Sequence, residues 1–175
     1  RWVDLTESEQ QIIASALVRQ AIQRGVSADK VERLIGTSYT LTAEPMGTEL
    51  RDASEFSTLL NATARYERAD VGLAVCLGNR SDGLEQAREL LSNHRRNLSE
   101  GLRWVKQEGV TRADHLQWFD AGDRIRETIV GIIAGMAVGS DGVDRGTPIL
   151  AFAQKSETKT KISARGTHTL TRNGL

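Results

Sequence analysis

The sequence has 175 residues with 23 basic and 23 acidic side chains, which leaves no net charge at neutral pH. This balance excludes a general electrostatic attraction to nucleic acid or membranes, so any binding of a polyanion must come from a local basic region. The length suits one domain, or two small ones, with enough chain to bury a hydrophobic core.

The sequence also carries signs of its cellular compartment. A single cysteine, Cys76, excludes an internal disulfide and fits a reducing compartment. No apolar run approaches the roughly 20 residues of a membrane span, and no signal-peptide pattern opens the chain. The first residue is arginine rather than methionine. We therefore expect a cytoplasmic piece of a longer protein, without a membrane partner.

The first predicted helix has clear signals at both ends. Thr6, followed three residues later by Glu9, is the signature of a capping box, and Gly25 marks the end of the helix. Apolar side chains recur every four residues within it and predict one buried stripe. The stripe consists of Ile13, Leu17 and Ala21.

Shorter elements follow. A second helix is predicted between Ser27, as its cap, and Gly36, with apolar side chains at Val31, Leu34 and Ile35. Residues 38–42 alternate and predict a short strand, and a further helix is predicted over about residues 52–65. The apolar run at residues 72–77 is too short to be assigned to a strand or a helix.

The strongest structural signal lies between Ser81 and Gly109. These two residues are predicted to cap a helix of roughly 27 residues, about 40 Å long. A helix of this length does not fit inside a small core, so we expect it to connect two bodies. Its apolar stripe, at a spacing of three and four residues, consists of Leu84, Ala87, Leu91, His94, Leu98, Leu102 and Val105.

Beyond Gly109 the pattern predicts a small sheet with one helix packed on it. Strands are predicted at 115–119, 147–154 and 160–166, and a largely buried helix within 124–139. Gly131 and Gly135 lie on that helix, where they favour close helix–sheet packing over approach of a ligand. The predicted fold class is therefore α/β in the α+β sense, with an N-terminal helical region, a long connector helix and a small sheet-and-helix domain.

No complete active site is predicted. The three histidines, His94, His115 and His168, lack metal-ligand spacing, and His94 falls on the apolar stripe. Asp141 and Asp144 lack the glutamate that a calcium loop requires, which favours a solvated turn. No phosphate-binding loop or nucleophile motif is present. We therefore predict no catalytic and no metal-ligating residue.

Two basic regions are candidates for anion binding. The first comprises Lys155, Lys159, Lys161, Arg165 and Arg172, interleaved with the hydroxyl groups of Ser163, Thr167 and Thr169. Hydroxyl and guanidinium groups side by side suit phosphate oxygens, although lysines also protect an exposed edge strand. Arg124 and Arg126, at the start of the helix predicted from Thr128 to Val138, form the second region. There a cation opposes the helix dipole, which invites a functional explanation.

Several segments together resemble a known family. They are LLNATAR, AVCLG, NHRRNLSEGLRW, GDRIRETIVGIIAGMA, TPILAFA and SARG. In this order, from about Arg33 to Leu175, they are similar to the RecJ-like branch of the DHH phosphoesterases, and most of all to archaeal single-strand exonucleases associated with the GINS replication complex.

The resemblance implies a domain layout. Residues 1–50 would be the helical part of an inserted partner-binding region, and 51–80 the end of the DHH catalytic domain. Residues 81–109 would be the connector helix, and 110–175 the first half of the DHH-associated, nucleic-acid-binding domain. The Mn²⁺ or Mg²⁺ ions of such enzymes would be held by DHH motifs, which this sequence lacks, as it lacks the GGGH motif.

The resemblance also implies the nucleic-acid-binding residues. Asn61 and Arg65 match an Asn-Ala-x-Gly-Arg segment beside the groove, with Ala64 in place of the glycine; Arg65 as a charge that satisfies helix carbonyls is the alternative. Arg126, Ser163 and Arg165 match groove-lining positions, with Ile162 in place of a family glycine.

Three functions remain open from the sequence. The first is the strand-binding segment, inactive by itself, of a metal-dependent 5′→3′ single-strand exonuclease. The second is a docking module without catalytic activity for replication proteins such as GINS, with its surface on residues 4–36 and apolar Trp2, Val3 and Ile22. The third is a segment of an oligoribonuclease or cyclic-dinucleotide phosphodiesterase of the DHH group.

Overall fold

The computed structural model describes residues 1–167 and 170, in two compact units. The first unit comprises Arg1–Asn61, and the second begins at Ala62. The described residues form six α-helices and one four-stranded mixed sheet. This mixed architecture confirms the predicted α+β fold class.

The N-terminal unit is helical. A 3₁₀ helix at Trp2–Asp4 precedes helix α1 (Glu7–Gln23), helix α2 (Ala28–Glu32) and most of helix α3 (Ala53–Arg65). The predicted capping box of α1 is confirmed, because the N–H of Glu9 donates to the Thr6 hydroxyl while the Thr6 N–H donates to the Glu9 carboxylate. Gly25 follows the helix with a φ of +73°, a conformation that favours glycine.

The predicted buried stripe on α1 is wrong. No residue of α1 is buried, and Leu17 is 52% exposed. The helix packs against α2. By helix geometry α2, with five residues, spans only about 8 Å, whereas α1 spans about 26 Å. A partner of that length cannot cover the stripe, which leaves its apolar side chains at the surface.

The segments after α1 are also shorter than predicted. Helix α2 ends at Glu32 rather than near Gly36, and Leu34 and Ile35 are exposed, whereas Val31 is buried. The Ser27 side chain makes no capping hydrogen bond. The strand predicted at 38–42 is reduced to an isolated bridge from Thr40 to Asp52, because the chain enters α3 immediately after Asp52.

Helix α3 begins where the sequence predicts. The Asp52 carboxylate accepts hydrogen bonds from the backbone N–H groups of Ser54 (2.8 Å) and Glu55 (3.1 Å), which caps the first turn. The apolar run at 72–77 proves to be helical for most of its length, since helix α4 spans Ala69–Cys76.

The long predicted helix is confirmed as α5 (Asp82–Glu108), with 27 residues. Its stripe is buried at Leu84, Ala87, Leu91, His94 and Val105, and partly buried at Leu98 and Leu102. The cap is not the Ser81 side chain; instead Asn79 Oδ1 accepts from the N–H groups of Ser81 and Gly83, both at 3.1 Å. Whether α5 connects two domains stays a prediction.

The C-terminal sheet consists of β1 (Thr111–Arg112), β2 (Gln117–Asp120), β3 (Ile149–Ser156) and β4 (Lys159–Arg165), in this spatial order. The β2–β3 pair is parallel, and the other two pairs are antiparallel. The three predicted strands are confirmed, whereas β1 is too short for its pattern to be recognised. The parallel pair requires a crossover, and helix α6 (Val130–Ala137) lies within it.

Helix α6 packs on the sheet and against α5. It begins six residues later than the predicted buried segment, because residues 124–129 form single turns in which the N–H groups of Ile129 and Val130 both bond to the Arg126 carbonyl. Arg124 and Arg126 therefore precede the first turn of α6 and do not form part of it. The hydrophobic cluster around α6 and the sheet consists of Val105, Phe119, Ala121, Ile125, Ile129, Val130, Ile133, Ala134, Ala137, Val143, Ile149, Ala151 and Ala153.

Candidate nucleic-acid interface

Arg65, the last residue of α3, reaches the segment that leads into α6. Its Nη1 donates a hydrogen bond to the Thr128 carbonyl at 2.7 Å. Arg65 therefore bonds to a carbonyl 63 residues away in the sequence, and not to the last carbonyl groups of α3. Since a guanidinium has five N–H donors, this bond fixes the Arg65 group while most of its donors remain for other acceptors.

Arg126 lies two residues before Thr128 and is exposed. Its guanidinium carbon stands 5.1 Å from the centre of the Tyr66 ring, which is a cation–π contact. The Tyr66 hydroxyl accepts a hydrogen bond from Asn97 Nδ2 at 2.6 Å, so that α5 holds the ring in place. Tyr66 therefore orients Arg126 without neutralising its charge.

Arg165, at the end of β4, lies along α6. Its Cγ and Cδ are 3.9 and 3.7 Å from where a Cβ of Gly135 would stand, and its Nη2 is 2.7 Å from the corresponding position at Gly131. Ser163 is buried beneath the same turn, with its hydroxyl against Gly131. The glycines thus serve close helix–sheet packing, as the sequence favours. Gly131 also lets the Arg165 guanidinium lie beside the first turn of α6.

The structure therefore brings three of the five candidate side chains to residues 126–131, a stretch that we call the arginine segment. Arg126 belongs to it, Arg65 bonds to it at Thr128, and Arg165 lies against it at Gly131. Ser163 lies under this segment and is only 9% exposed, so it positions neighbours instead of presenting its hydroxyl to solvent. Asn61 is exposed on α3, one helical turn before Arg65, and its role stays a prediction.

His94 packs against Tyr66, the ring that contacts Arg126, and is itself 8% exposed. Its ring meets the Tyr66 ring edge-on, with 5.9 Å between centres. Burial lowers the pKa of His94 below its usual value of 6.5, and the charges of Arg65 and Arg95 lower it further. The neutral form is thereby favoured, which agrees with the packing role predicted for this histidine.

The exposed lysines of β4 have two interpretations, binding of phosphate and protection of a sheet edge. Lys159 and Lys161 are exposed on β4, which is an edge strand in the described part of the chain. This placement fits the alternative that the lysines protect a sheet edge. Arg172, Thr169 and His168 lie outside the described residues.

The described residues were also considered as metal ligands. Within residues 1–167 and 170, no group of three or more histidine, cysteine, aspartate or glutamate side chains could hold a metal ion. The Asp144 carboxylate instead accepts the Gly146 N–H and the Thr147 hydroxyl, which closes a turn. The described residues therefore do not fit a Mn²⁺ or Mg²⁺ site, and no catalytic step is assigned to them.

Sequence reasoning missed the residues that organise this site. Tyr66 joins Arg126, Asn97 and His94, and Thr128 supplies the carbonyl for Arg65. Tyr66 directly follows the Arg65 segment, and an aromatic residue just beyond a helix end is a weak signal by itself. These contacts join positions 28 to 63 residues apart, and such contacts leave no trace in local periodicity.

Comparison with known proteins gives one match. The DHH-CID domain family matches residues 1–35, ahead of most of the segments that resemble RecJ-like proteins. No curated protein matches the chain. In the described part of the chain, no helix combines the length and apolar character needed to cross a membrane. The DHH-CID match covers one fifth of the chain.

Proposed function

We propose that this chain is the strand-binding segment of a metal-dependent, single-strand-specific 5′→3′ exonuclease of the RecJ-like branch, acting in the cytoplasm. The observation that carries this proposal is the arrangement of three arginines, Arg65, Arg126 and Arg165, along residues 126–131. The family match and the resembling segments support the phosphodiester substrate.

The charge at this segment favours an anionic ligand. The Arg165 guanidinium lies beside the first turn of α6, where the helix dipole is positive. The local bonds that fix Arg65 and Arg165 are to carbonyl oxygens of Thr128 and Ala164, so neither charge is neutralised by them. Phosphates of a strand would offset the charges of Arg65 and Arg165, and such contacts position a strand without reading its sequence.

The chemistry of hydrolysis would come from elsewhere in the parent protein. Mn²⁺ or Mg²⁺ held by DHH motifs would activate water and stabilise the charge of the transition state. This chain would contribute strand binding alone and would be inactive by itself.

The test is the affinity for a fluorescein-labelled single-stranded oligonucleotide at low salt. Arg65→Ala and Arg165→Ala should each weaken binding about tenfold, because a hydrogen bond to a charged group contributes about 1.5–3 kcal/mol. Arg103→Ala is the matched control, since this exposed arginine lies on α5 and outside residues 126–131. Equal affinity of both variants and the parent chain would remove the proposal.

A second function is favoured by a separate observation, the uncovered apolar side chains of the N-terminal unit. Leu17, Ile22 and Ile35 are 52%, 61% and 71% exposed. A hollow of about 590 Å³ lies beside α1, with Val18, Ile22 and Ile35 in its lining. Exposed apolar patches often mark protein interfaces. We propose that this surface docks a replication protein, with GINS as the partner that the resemblance implies.

Docking is tested with purified GINS complex and the whole chain by calorimetry. Leu17→Asp with Ile22→Asp should abolish binding, because a charge is then desolvated in an apolar interface. Leu73→Asp, at an exposed leucine of the second unit, is the control. Undiminished binding by the double variant contradicts docking through α1.

A further inference from the structure

A separate cleft lies where α5 faces the turns before α6. Its volume is about 350 Å³, and α5 contributes Asn97, Glu100 and Trp104 while the turns contribute Arg124 and Arg126. Small-molecule sites in proteins typically have volumes of about 300–1,000 Å³. The cleft is therefore large enough for one nucleotide-sized ligand.

Polar groups of this cleft lack partners. Trp104 Nε1 is buried and has no hydrogen-bond acceptor. Within the described residues, Arg124 and Arg126 make no side-chain hydrogen bond or ion pair. Buried donors without acceptors are uncommon in proteins because they are costly. A ligand that carries acceptors and negative charge would satisfy the two arginines.

The remaining lining suits the base of a nucleotide. Ile125 and Ile129 supply an apolar wall, and the Trp104 indole adds an aromatic surface. Asn97 donates through Nδ2 to Tyr66, which leaves its Oδ1 as an acceptor, and the Glu100 carboxylate is a second acceptor. Planar, partly apolar rings with donors and acceptors at their edges match this combination.

The cleft beside Trp104 and a neighbouring cleft differ in the number of acidic side chains that line them. A second cleft, of about 520 Å³, shares Arg126 and adds Lys155, but it is also lined by four acids, Glu67, Asp123, Glu127 and Glu157. Those carboxylates repel a phosphate group. The first cleft has one acid, Glu100, against two arginines. An anionic ligand that engages Arg126 should therefore enter the cleft beside Trp104.

We propose that the cleft beside Trp104 binds one 5′-phosphorylated nucleoside, with its base against Trp104 and its phosphate on Arg124 and Arg126. The inference rests on the proposed function, because the nucleotide would be one unit of the bound strand. A free mononucleotide has the same chemistry and could occupy the site as well. The two sources are separated by experiment.

The experiment uses the whole chain with Trp2→Phe and Trp118→Phe, so that Trp104 is the sole tryptophan and its fluorescence can be excited selectively over that of tyrosine. Deoxyadenosine 5′-monophosphate should change the fluorescence saturably, and deoxyadenosine or inorganic phosphate should bind at least about tenfold more weakly. Arg124→Ala should weaken mononucleotide binding about tenfold, whereas Arg103→Ala should not change it. In the otherwise unaltered chain, Trp104→Ala should weaken binding measured by calorimetry, because it removes the aromatic surface that lines the cleft.

The outcomes separate the two proposals. No saturable response to mononucleotide, together with oligonucleotide binding that still depends on Arg165, overturns the cleft alone. Mononucleotide binding insensitive to Arg124→Ala, or no tighter than binding of inorganic phosphate, overturns it too. A response that depends on Arg124, combined with oligonucleotide binding indifferent to Arg65 and Arg165, supports a free-nucleotide site and overturns the strand-binding function.

Discussion

Gly131 is the residue on which the arrangement of Arg165 depends. A Cβ at this position would overlap with Ser163 Oγ, stand 3.1 Å from Ser163 Cβ and 2.7 Å from Arg165 Nη2. Ser163 is buried on a strand and has little room to move. The absence of a side chain here therefore both allows α6 to pack on β4 and leaves space for the guanidinium group.

Gly131→Ala should lower the free energy of unfolding by about 1–3 kcal/mol, the usual cost of overpacking. It should also displace Arg165 and weaken oligonucleotide binding. Urea denaturation measures the first effect. Gly135→Ala is the control, because its nearest contact would be an ordinary 3.7 Å and alanine favours a helix. Equal destabilisation by the two substitutions would contradict this account.

His94 predicts a pH dependence of stability. Its pKa is lowered mainly by burial and also by Arg65 and Arg95, so the unfolded chain binds the proton more readily than the folded one. The stabilisation is thus fully present above pH 6.5 and is lost as the pH falls through the lower pKa of the folded state. Urea midpoints between pH 7.5 and 5.5 should fall less for His94→Leu than for the parent chain. His115→Ala, which removes an exposed histidine, is the control.

At the scale of elements, local sequence signals decide where a helix begins. They do not decide whether another part of the protein buries its apolar face. Helix α1 has the predicted capping box, yet it has no buried residue. Helix α5 is predicted almost to the residue because its periodicity persists over 27 positions. Helix α6 starts late, since the turns at 124–129 place Ile125 and Ile129 in the core without a continuous helix.

The capping box of α1 should respond to acid. The hydrogen bond from the Thr6 N–H, and next the one from its hydroxyl, lower the pKa of Glu9 below 4.5. The cap is therefore intact above pH 4.5 and is lost as the pH falls through the lower pKa of Glu9 in the helix. The ¹³Cα shifts of residues 7–10 should become less helical in acid, and Glu9→Gln should suppress this transition. Glu7→Gln, in the same turn, should retain it.

At the scale of the whole molecule, the chain has no net charge. Attraction to an oligonucleotide must therefore come from the proposed arginines and not from the protein as a whole. Oligonucleotide affinity should fall with salt with a log–log slope of about −2, since single strands give about −0.7 for each phosphate neutralised and three arginines are proposed to take part. Arg165→Ala should reduce the slope by about 0.7. Titrations from 50 to 300 mM salt would test this, and a slope that the substitution leaves unchanged would exclude a phosphate contact.

The sequence by itself determined the α+β class, the caps of α1, the length of α5 and the strands β2 to β4. These features follow from backbone hydrogen bonding and side-chain periodicity, which are local. Only the tertiary structure decided that the α1 stripe is uncovered, that Ser163 is buried and that Tyr66 and Thr128 organise the arginines. Burial and side-chain partners depend on which distant segments pack together, and no local pattern encodes that.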